Sequence, residues 1–336
     1  MQLAMRVLDA LAVERSLELT DPRFVSGASL AEQFDVTRSA VWKAVGTLRD
    51  MGTPVEAVTN QGYRLTLPAS PLQALAVCSE LDPKVAVRLR NGGCVGSVTS
   101  TNAMLLGRDP PPPGQFDFLT AEHQSAGRGR RGRNWFAPPG GAICLSWSWS
   151  FESMARQMGA LSLVVGIAAL RALRDRQIPG VGLKWPNDLV TQQGKLGGIL
   201  IEMRSESAGP VHVVVGMGIN MALGQQLRDR VIAAGHVAND LCSLTRSPPT
   251  RNELVATVLN HGICAMQEFA AQGFAPFLPE YLAADTLRDQ QVSLSGGPAG
   301  LTRGIARGVD EDGALRVEHN GVIHRIMSGE VSVRTG

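Results

Sequence analysis

The sequence predicts a multidomain α+β protein with three units, at residues 1–67, 72–272 and 275–336. In the first unit, two short helical patterns meet at a tight turn and a hairpin follows them. In the second, strand-like runs interleave with helical patterns, which predicts a mixed sheet covered by helices. In the third, short alternating strands are separated by tight-turn dipeptides. A chain of 336 residues with 44% hydrophobic residues is large enough to bury several cores.

The first unit has the layout of a winged helix-turn-helix. Apolar residues on one helical face predict a helix near the N-terminus, and Ser29 followed by Glu32 predicts a capping box at the start of the next helix. Thr37 is the predicted N-cap of a third helix that ends at Gly52. Residues 54–65, PVEAVTNQGYRL, then predict a strand, a turn and a second strand.

A winged module of this kind favours DNA binding. The third helix and the wing carry the candidate DNA-binding residues, which are Arg38, Ser39, Lys43 and Arg64. Residues 1–67 contain seven basic and eight acidic residues, a net charge of −1, whereas a DNA-binding unit usually has a basic footprint. A small helical unit that only contacts other proteins is therefore the alternative.

The remaining units are bounded by clear sequence signals. Residues 68–71, PASP, predict a linker before the central unit. Near the C-terminus, Asp312-Gly313 and Asn320-Gly321 favour tight hairpin turns, which predicts a small β-barrel of about 60 residues.

Composition excludes several classes of protein. A net charge of +2 requires neither a nucleic acid nor a membrane as partner. The apolar run Met158–Leu170 is shorter than the roughly 20 residues that span a bilayer, and the N-terminus lacks the layout of a signal peptide. The five cysteines form no C-x-x-C pair, which predicts a reduced, cytoplasmic protein. The six histidines are scattered, so we expect no metal site.

The segment Gly127–Gly132, GRGRRG, matches the G-x-G-x-x-G pattern of dinucleotide sites. That pattern requires a helix to begin at the glycines, and the Pro-Pro-Gly-Gly run at residues 138–141 would stop such a helix. Guanidinium groups instead hold phosphate and carboxylate oxygens. The loop is therefore predicted to bind an anion, and a solvated basic loop is the plain alternative.

Four further motifs follow the same order as in a known family. They are STN at 100–102, KWPNDL at 184–189, KLGGIL at 195–200 and GMGIN at 216–220. Together with QSAGRGRRGRNWF at 124–136, they resemble the signature blocks of the biotin protein ligases. The winged N-terminal unit resembles the longer members, which also repress the biotin operon. The resemblance implies a biotin/lipoate-ligase catalytic domain of the class II aminoacyl-tRNA-synthetase-like fold and an SH3-like C-terminal barrel.

The resemblance also implies a reaction and its site residues. ATP would activate biotin as biotinyl-5′-AMP, with Mg²⁺ present, and the biotin would then pass to a lysine of the biotin carboxyl carrier protein. The implied catalytic residues are Lys195, Arg130 and Lys184. Biotin would be bound by Ser100, Thr101, Asn102, Gln124, Arg128, Gly129, Arg130 and Lys195. The adenylate would be bound by Arg128, Arg130, Arg131, Trp135, Lys184, Asn187, Asp188, Gly216 and Asn220.

The resemblance further implies operator DNA as a partner and a homodimer that forms when biotinyl-AMP binds, with no membrane association. The arginine loop is expected to be mobile until a ligand phosphate orders it. Two other functions remain open: a transcription factor whose central unit only senses a small molecule, and a lipoate–protein ligase. The winged N-terminus is unusual for lipoate ligases.

Overall fold

The computed structural model describes residues 1–12, 24–153, 157–205, 210–233, 235–295, 301–327 and 332–335. The N-terminal unit contains α1 (Gln2–Leu11), α2 (Gly27–Phe34), α3 (Arg38–Asp50), β1 (Val55–Val58) and β2 (Gly62–Leu65). The two strands pair antiparallel, and Leu8, Leu30, Val41 and Leu48 are buried in a core of their own. The predicted winged helix-turn-helix is therefore confirmed.

One predicted cap in this unit is correct and the other is wrong. Thr37 caps α3, since its Oγ1 accepts a hydrogen bond from the backbone N of Ala40 at 3.2 Å. α2 begins earlier than the predicted capping box, because Ser26 is its N-cap and its Oγ accepts from the backbone N of Ser29 at 3.0 Å. Ser29 therefore lies inside the first turn of α2. Serine is a favoured N-cap at both positions, and the helix begins at the first serine although only Ser29 has a glutamate three residues later.

The central unit is a seven-stranded mixed sheet with helices. Its helices are α4 (Ala74–Ser79), α5 (Pro83–Ala86), α6 (Thr101–Leu106), α7 (Leu161–Asp175), α8 (Gln225–Ala233) and α9 (Arg251–Gln272). Its strands are β3 (Leu89–Val98), β4 (Phe116–Gln124), β5 (Ala142–Phe151), β6 (Gly182–Lys184), β7 (Asp188–Thr191), β8 (Gly194–Ser205) and β9 (Val211–Asn220). The strand order is β3-β4-β5-β9-β8-β7-β6, and only β3 and β4 pair in parallel.

The two faces of this sheet differ in chemistry because side chains alternate along each strand. On β9, Val213, Val215 and Ile219 pack in one large apolar cluster with residues of α7 and α9. The opposite face of the same strand carries Gly216 and Gly218. One face is therefore the core. The opposite face, here called the glycine face, has no side chains at Gly216 and Gly218.

The C-terminal unit follows α10 (Leu278–Ala284). Its strands are β10 (Gln291–Ser295), β11 (Arg303–Val309), β12 (Leu315–His319), β13 (Val322–Ile326) and β14 (Ser332–Thr335). They form an antiparallel sheet in the order β13-β12-β11-β10-β14. The predicted turn at Asn320-Gly321 joins β12 to β13, and both residues have positive φ, 52° and 77°. The predicted C-terminal β unit is thus confirmed, while the domain limits 1–67, 72–272 and 275–336 stay predictions.

A buried ion pair joins the linker to the central sheet. Arg251, at the start of α9, and Glu122, on β4, are 3% and 6% exposed and contact each other through two hydrogen bonds of 2.6 and 2.8 Å. Arg251 also donates to the carbonyl of Ser70 in the linker, and Glu122 accepts from the backbone N of Gly140 at 3.2 Å. The pair therefore holds together segments from four separate parts of the chain.

Within the described residues, no helix is long and apolar enough to cross a membrane. The five cysteines are free thiols.

Glu122→Gln is expected to lower the free energy of unfolding by about 3 kcal/mol, because it removes the carboxylate that is hydrogen-bonded to the buried guanidinium of Arg251. Glu268→Gln is the matched control. Glu268 lies 3.8 Å from Arg171 with its side chain 35% exposed, so its loss should cost less than about 1 kcal/mol. Urea unfolding at neutral pH measures both values. An equal decrease in the free energy of unfolding for the two variants would show that the buried pair stabilises the protein no more than the exposed pair does.

Candidate functional site

The arginine loop is a closed turn that leads into a strand. The backbone N of Gly129 donates to the carbonyl of Arg133 at 2.7 Å, and the backbone N of Trp135 donates to the carbonyl of Gly127 at 2.9 Å. Between them is one short 3-10 turn, in which Arg131 has φ 58°. The next regular element is β5, which confirms that this loop does not begin a dinucleotide-binding helix.

The STN segment forms a buried polar group at the start of α6. Ser100 is the N-cap of that helix, with its Oγ 3.4 Å from the backbone N of Ala103. Thr101 donates from its backbone N and its Oγ1 to Oε1 of Gln124, at 2.9 and 3.1 Å. Ser146 on β5 lies beneath them, with its Oγ 2.6 Å from both Thr101 Oγ1 and Asn102 Oδ1. Predicted residues from two distant segments are thus in direct contact.

Gly216 and Gly218 allow side chains to lie directly on the backbone of β9. A Cβ atom at Gly216 would lie less than 3.0 Å from the amide of Asn102, a separation that real Cβ atoms do not adopt. A Cβ atom at Gly218 would overlap the indole of Trp135 in the same way. These two glycines are therefore required by close approach and not by backbone conformation.

Each cation near the glycines contacts a polar or acidic side chain. Lys195 Nζ lies 2.6 Å from Asp188 Oδ1 and 5.9 Å from the centre of the Trp135 ring. Arg128 Nη1 lies 3.0 Å from Oε1 of Glu202.

Arg130 reaches the same region from the loop. Its Nη1 lies 3.5 Å from Asn187 Oδ1. Burial lowers the pKa of Arg130 from its usual value, while nearby Asp188 raises it. The loop and the strand pair β7–β8 therefore bring Arg128, Arg130 and Lys195 to one side of the sheet. Lys184, at the end of β6, is paired in register with Asp188.

Asn220 has a structural contact that the sequence did not predict. Its Nδ2 donates to the carbonyls of Lys195 and Asn239, at 3.3 and 3.0 Å. The backbone N of Asn239 in turn donates to the carbonyl of Lys195 at 2.8 Å. Asn220 therefore holds the backbone of Lys195, and only its Oδ1 remains for the predicted contact with adenine.

Two predicted residues face elsewhere. Arg131 donates from Nη1 to the carbonyl of Ser295 on β10 at 3.4 Å, so it contacts the C-terminal unit. Arg64 on the wing contacts Glu56 at 2.6 Å and covers the ring of Phe24 at 4.5 Å. The other DNA-binding candidates, Arg38, Ser39 and Lys43, are exposed on α3, far along the chain from the glycine face.

Sequence reasoning missed three residues on the glycine face. Glu202 accepts from Arg128 and, through Oε2, from Asn102 Nδ2 at 2.8 Å. Ser146 supports the STN group, and Cys144, two residues before it, is fully buried. Burial raises the pKa of the Cys144 thiol to about 12, so it stays protonated and does not act as a nucleophile. Strand alternation in CLSWSWSF, residues 144–151, was the available signal for Cys144 and Ser146, because it places them on the face opposite the tryptophans, and no local signal indicated Glu202.

The described residues contain no group of three His, Cys, Asp or Glu side chains that could hold a metal ion. Asp188 is the carboxylate nearest to Lys195, and Mg²⁺ is commonly held by one or two carboxylates together with substrate phosphates. Asp188 is therefore the carboxylate that could hold such an ion.

Gly218→Ala is expected to displace Trp135 from β9 and expose its indole, whose Nε1 is buried. Acrylamide should therefore quench more of the tryptophan fluorescence than in the unchanged chain. In a Trp135→Phe background the same glycine substitution should leave the quenching of the remaining tryptophans unchanged. Equal quenching of the single variant and the parent would show that Trp135 does not rest on Gly218.

Comparison with known proteins assigns each unit to a family model. Residues 93–220 match the biotin/lipoate A/B protein ligase family, residues 11–64 match an HTH domain, and residues 289–334 match the biotin protein ligase C-terminal domain. In the solved structures, a biotin protein ligase from Aquifex aeolicus in complex with biotin and ATP is 26% identical, with a TM-score of 0.60. It covers 74% of this chain and 100% of its own.

The curated relatives match along nearly the whole length. The bifunctional ligase/repressor BirA of Salmonella typhimurium is 37% identical, over 94% of this chain and 95% of the relative. The protein of the same name from Escherichia coli is 36% identical over the same shares. All three predicted units are present in the predicted order, and the chain therefore belongs to the family of bifunctional biotin ligase/repressors.

Proposed function

We propose that the chain ligates biotin to a lysine of the biotin carboxyl carrier protein through biotinyl-5′-AMP, and that the same adenylate controls its DNA binding. One observation carries the proposal: Arg128, Arg130 and Lys195 meet on the glycine face of β9, beside the buried polar group at Asn102. Such a site suits a ligand with a polar ring at one end and an anion at the other.

The polar group supports binding of the biotin ring. A ureido ring offers one carbonyl acceptor and two N–H donors, so its pocket needs both kinds of partner. Thr101, Asn102, Gln124 and Ser146 supply hydroxyls and amides that already bond to one another. Ser100 would hold this group in place as the cap of α6. The valeryl chain of biotin would then run along β9 toward Gly218.

In the first step, a carboxylate oxygen of biotin attacks the α-phosphorus of ATP, and the bond to pyrophosphate breaks. Both reactants are anions, so the protein must overcome their repulsion by positioning them and by stabilising charge. Arg128, Arg130 and Lys195 supply that charge. Arg128 would exchange its contact with Glu202 for the ligand oxygens, and Lys195 would exchange its contact with Asp188 in the same way. The backbone N of Gly129 would approach the same ligand oxygens.

The nucleotide would lie at the end of the glycine face that carries Gly218 and Trp135. Trp135, which lies on Gly218, would cover the adenine, whereas the predicted nucleotide residue Gly216 is covered by the amide of Asn102 in the biotin pocket. Lys184 and Asn187 would approach the phosphates, and Asp188 would contact Mg²⁺ that enters with ATP. The contact of Arg131 with Ser295 makes it the weakest of the nucleotide candidates.

In the second step, the amine of the carrier lysine attacks the acyl carbon, and AMP leaves with the bonding electrons. No protein nucleophile is required. Asp188 would align the incoming amine, since its carboxylate lies beside Lys195. The protonated thiol of Cys144 stays outside the chemistry.

We also infer a cytoplasmic site of action, because the free thiols suit a reducing compartment.

A carrier-labelling assay separates the possible functions. The chain is incubated with ATP, Mg²⁺, a biotin carboxyl carrier domain and either biotin or lipoate. Modification with biotin alone is expected. Modification with lipoate would support a lipoate–protein ligase, and no modification with either acid would leave a sensor without catalytic activity.

Arg130→Ala is expected to release biotinyl-AMP about 10- to 100-fold faster, since it removes a charge-assisted contact with the ligand. Arg131→Ala is the matched control, because it removes the same charge one residue away, where the side chain contacts Ser295. Adenylate is formed from radiolabelled biotin and ATP, and its dissociation is followed after an excess of unlabelled biotin is added. Unchanged release from the Arg130 variant would rule out its role in retention.

Biotinyl-AMP is expected to tighten self-association about 5- to 150-fold, the usual range for coupling between two binding events. A dimer suits a winged helix-turn-helix that reads two half-sites. Sedimentation equilibrium with and without biotinyl-AMP measures the change. Equal self-association in both states would contradict the proposed ligand-dependent dimer.

A further inference from the structure

The outer face of α3 carries a large exposed aromatic side chain. Trp42 is 66% exposed, whereas Val41 and Val45 on the same helix are 0% and 1% exposed. One turn further on, a Cβ atom at Gly46 would meet nothing within 4 Å, so the helix backbone is open there. A single exposed apolar side chain is ordinary on a protein surface, so the residues around Trp42 decide whether it belongs to a binding site.

The charged residues around Trp42 indicate which class of partner would contact this surface. No acidic residue occurs from Val36 to Arg49, although residues 1–67 together carry a net charge of −1. Arg38 and Lys43 are exposed on the outer side of α3. On the wing, by contrast, Arg64 contacts Glu56. The positive charge available to a polyanion is therefore concentrated on α3, around the indole.

An indole and a cation contact different parts of a DNA duplex. Lysine and arginine neutralise phosphates, which positions the protein without reading sequence. An indole has a single N–H donor and an apolar ring, and the apolar group in the major groove is the C5-methyl of thymine. The second helix of a helix-turn-helix contacts base edges with residues of its N-terminal part, and Trp42 is in the first half of α3 and points outward.

We propose that Trp42 is a specificity residue that reads the C5-methyl group of a thymine in each operator half-site, with Gly46 leaving space for the close approach of the duplex. This inference rests on the proposed DNA binding and adds to it the residue and the base that it contacts. Gly46 supports it, because it lies one helical turn after Trp42 and has no side chain that would hold the helix away from the groove.

The test selects binding sites from a random duplex library with the full-length chain, in the presence of ATP, Mg²⁺ and biotin. The variants are Trp42→Ala, Trp42→Phe and Lys43→Ala. Leu75→Ala is the matched control, because Leu75 is 86% exposed on α4, outside the winged unit. Thermal unfolding and carrier biotinylation of every variant establish that its fold is intact.

We expect Trp42→Ala to lose base preference at one thymine position in each half-site while the rest of the motif is kept. Lys43→Ala should keep the full motif and bind more weakly, with a smaller salt dependence. Replacing that thymine by uracil, which lacks the methyl group, should weaken binding of the unchanged chain about five- to tenfold and leave Trp42→Ala unaffected. Trp42→Phe should retain part of the preference.

Three outcomes would overturn the inference. Identical motifs for the unchanged chain and Trp42→Ala would show that the indole reads no base. A uniform loss of affinity without a change in motif would assign Trp42 to the backbone or to a protein contact. An unchanged chain that enriches no motif would overturn the proposed DNA binding itself, and this residue assignment with it.

Discussion

The arrangement of the site depends on the absence of side chains at two alternate positions of β9. One face of the strand must be apolar because α7 and α9 cover it. Gly216 and Gly218 make the opposite face bare, so Asn102 and Trp135 rest on the strand backbone itself. A ligand held between these groups would contact main chain as well as side chains, which limits its freedom more than a pocket of mobile side chains would.

Two of the three cations at the site contact carboxylates of the protein itself, while Arg130 contacts an amide. Lys195 contacts Asp188 and Arg128 contacts Glu202, both with partly exposed side chains. Exposed pairs of this kind are worth about 0–1 kcal/mol, so an incoming phosphate or carboxylate can replace the acidic partner at little cost. Glu202 also accepts a hydrogen bond from Asn102, so release of Arg128 changes the surroundings of the predicted biotin pocket.

Local patterns predicted the elements well and the contacts between them poorly. The N-cap Thr37 and the Asn320-Gly321 turn follow from backbone chemistry within a few residues, and both are present. Ser29 was mistaken for a cap because Glu32 completes a capping-box pattern there, whereas Ser26 caps the helix without one. Glu202 is 74 residues from Arg128 along the chain, and Glu56 pairs with Arg64 across a hairpin. Pairing over such distances depends on tertiary structure, which a motif of adjacent residues does not contain.

The chain after the arginine loop connects the site physically to the winged unit. Trp135 on Gly218 is followed by a turn whose Pro139 carbonyl accepts a buried hydrogen bond from Thr53 Oγ1 at 2.9 Å, just beyond α3.

Gly140, the next residue in this turn, has φ 78°, and the position of its Cβ lies 3.2 Å from Leu8 of α1. Its backbone N donates to Glu122, whose partner Arg251 also contacts the linker at Ser70. A rearrangement of the loop around an adenylate therefore acts on segments that touch both α1 and the end of α3. Because packed interfaces shift between discrete arrangements, this short connection would give the proposed ligand a direct means of biasing the orientation of the winged unit.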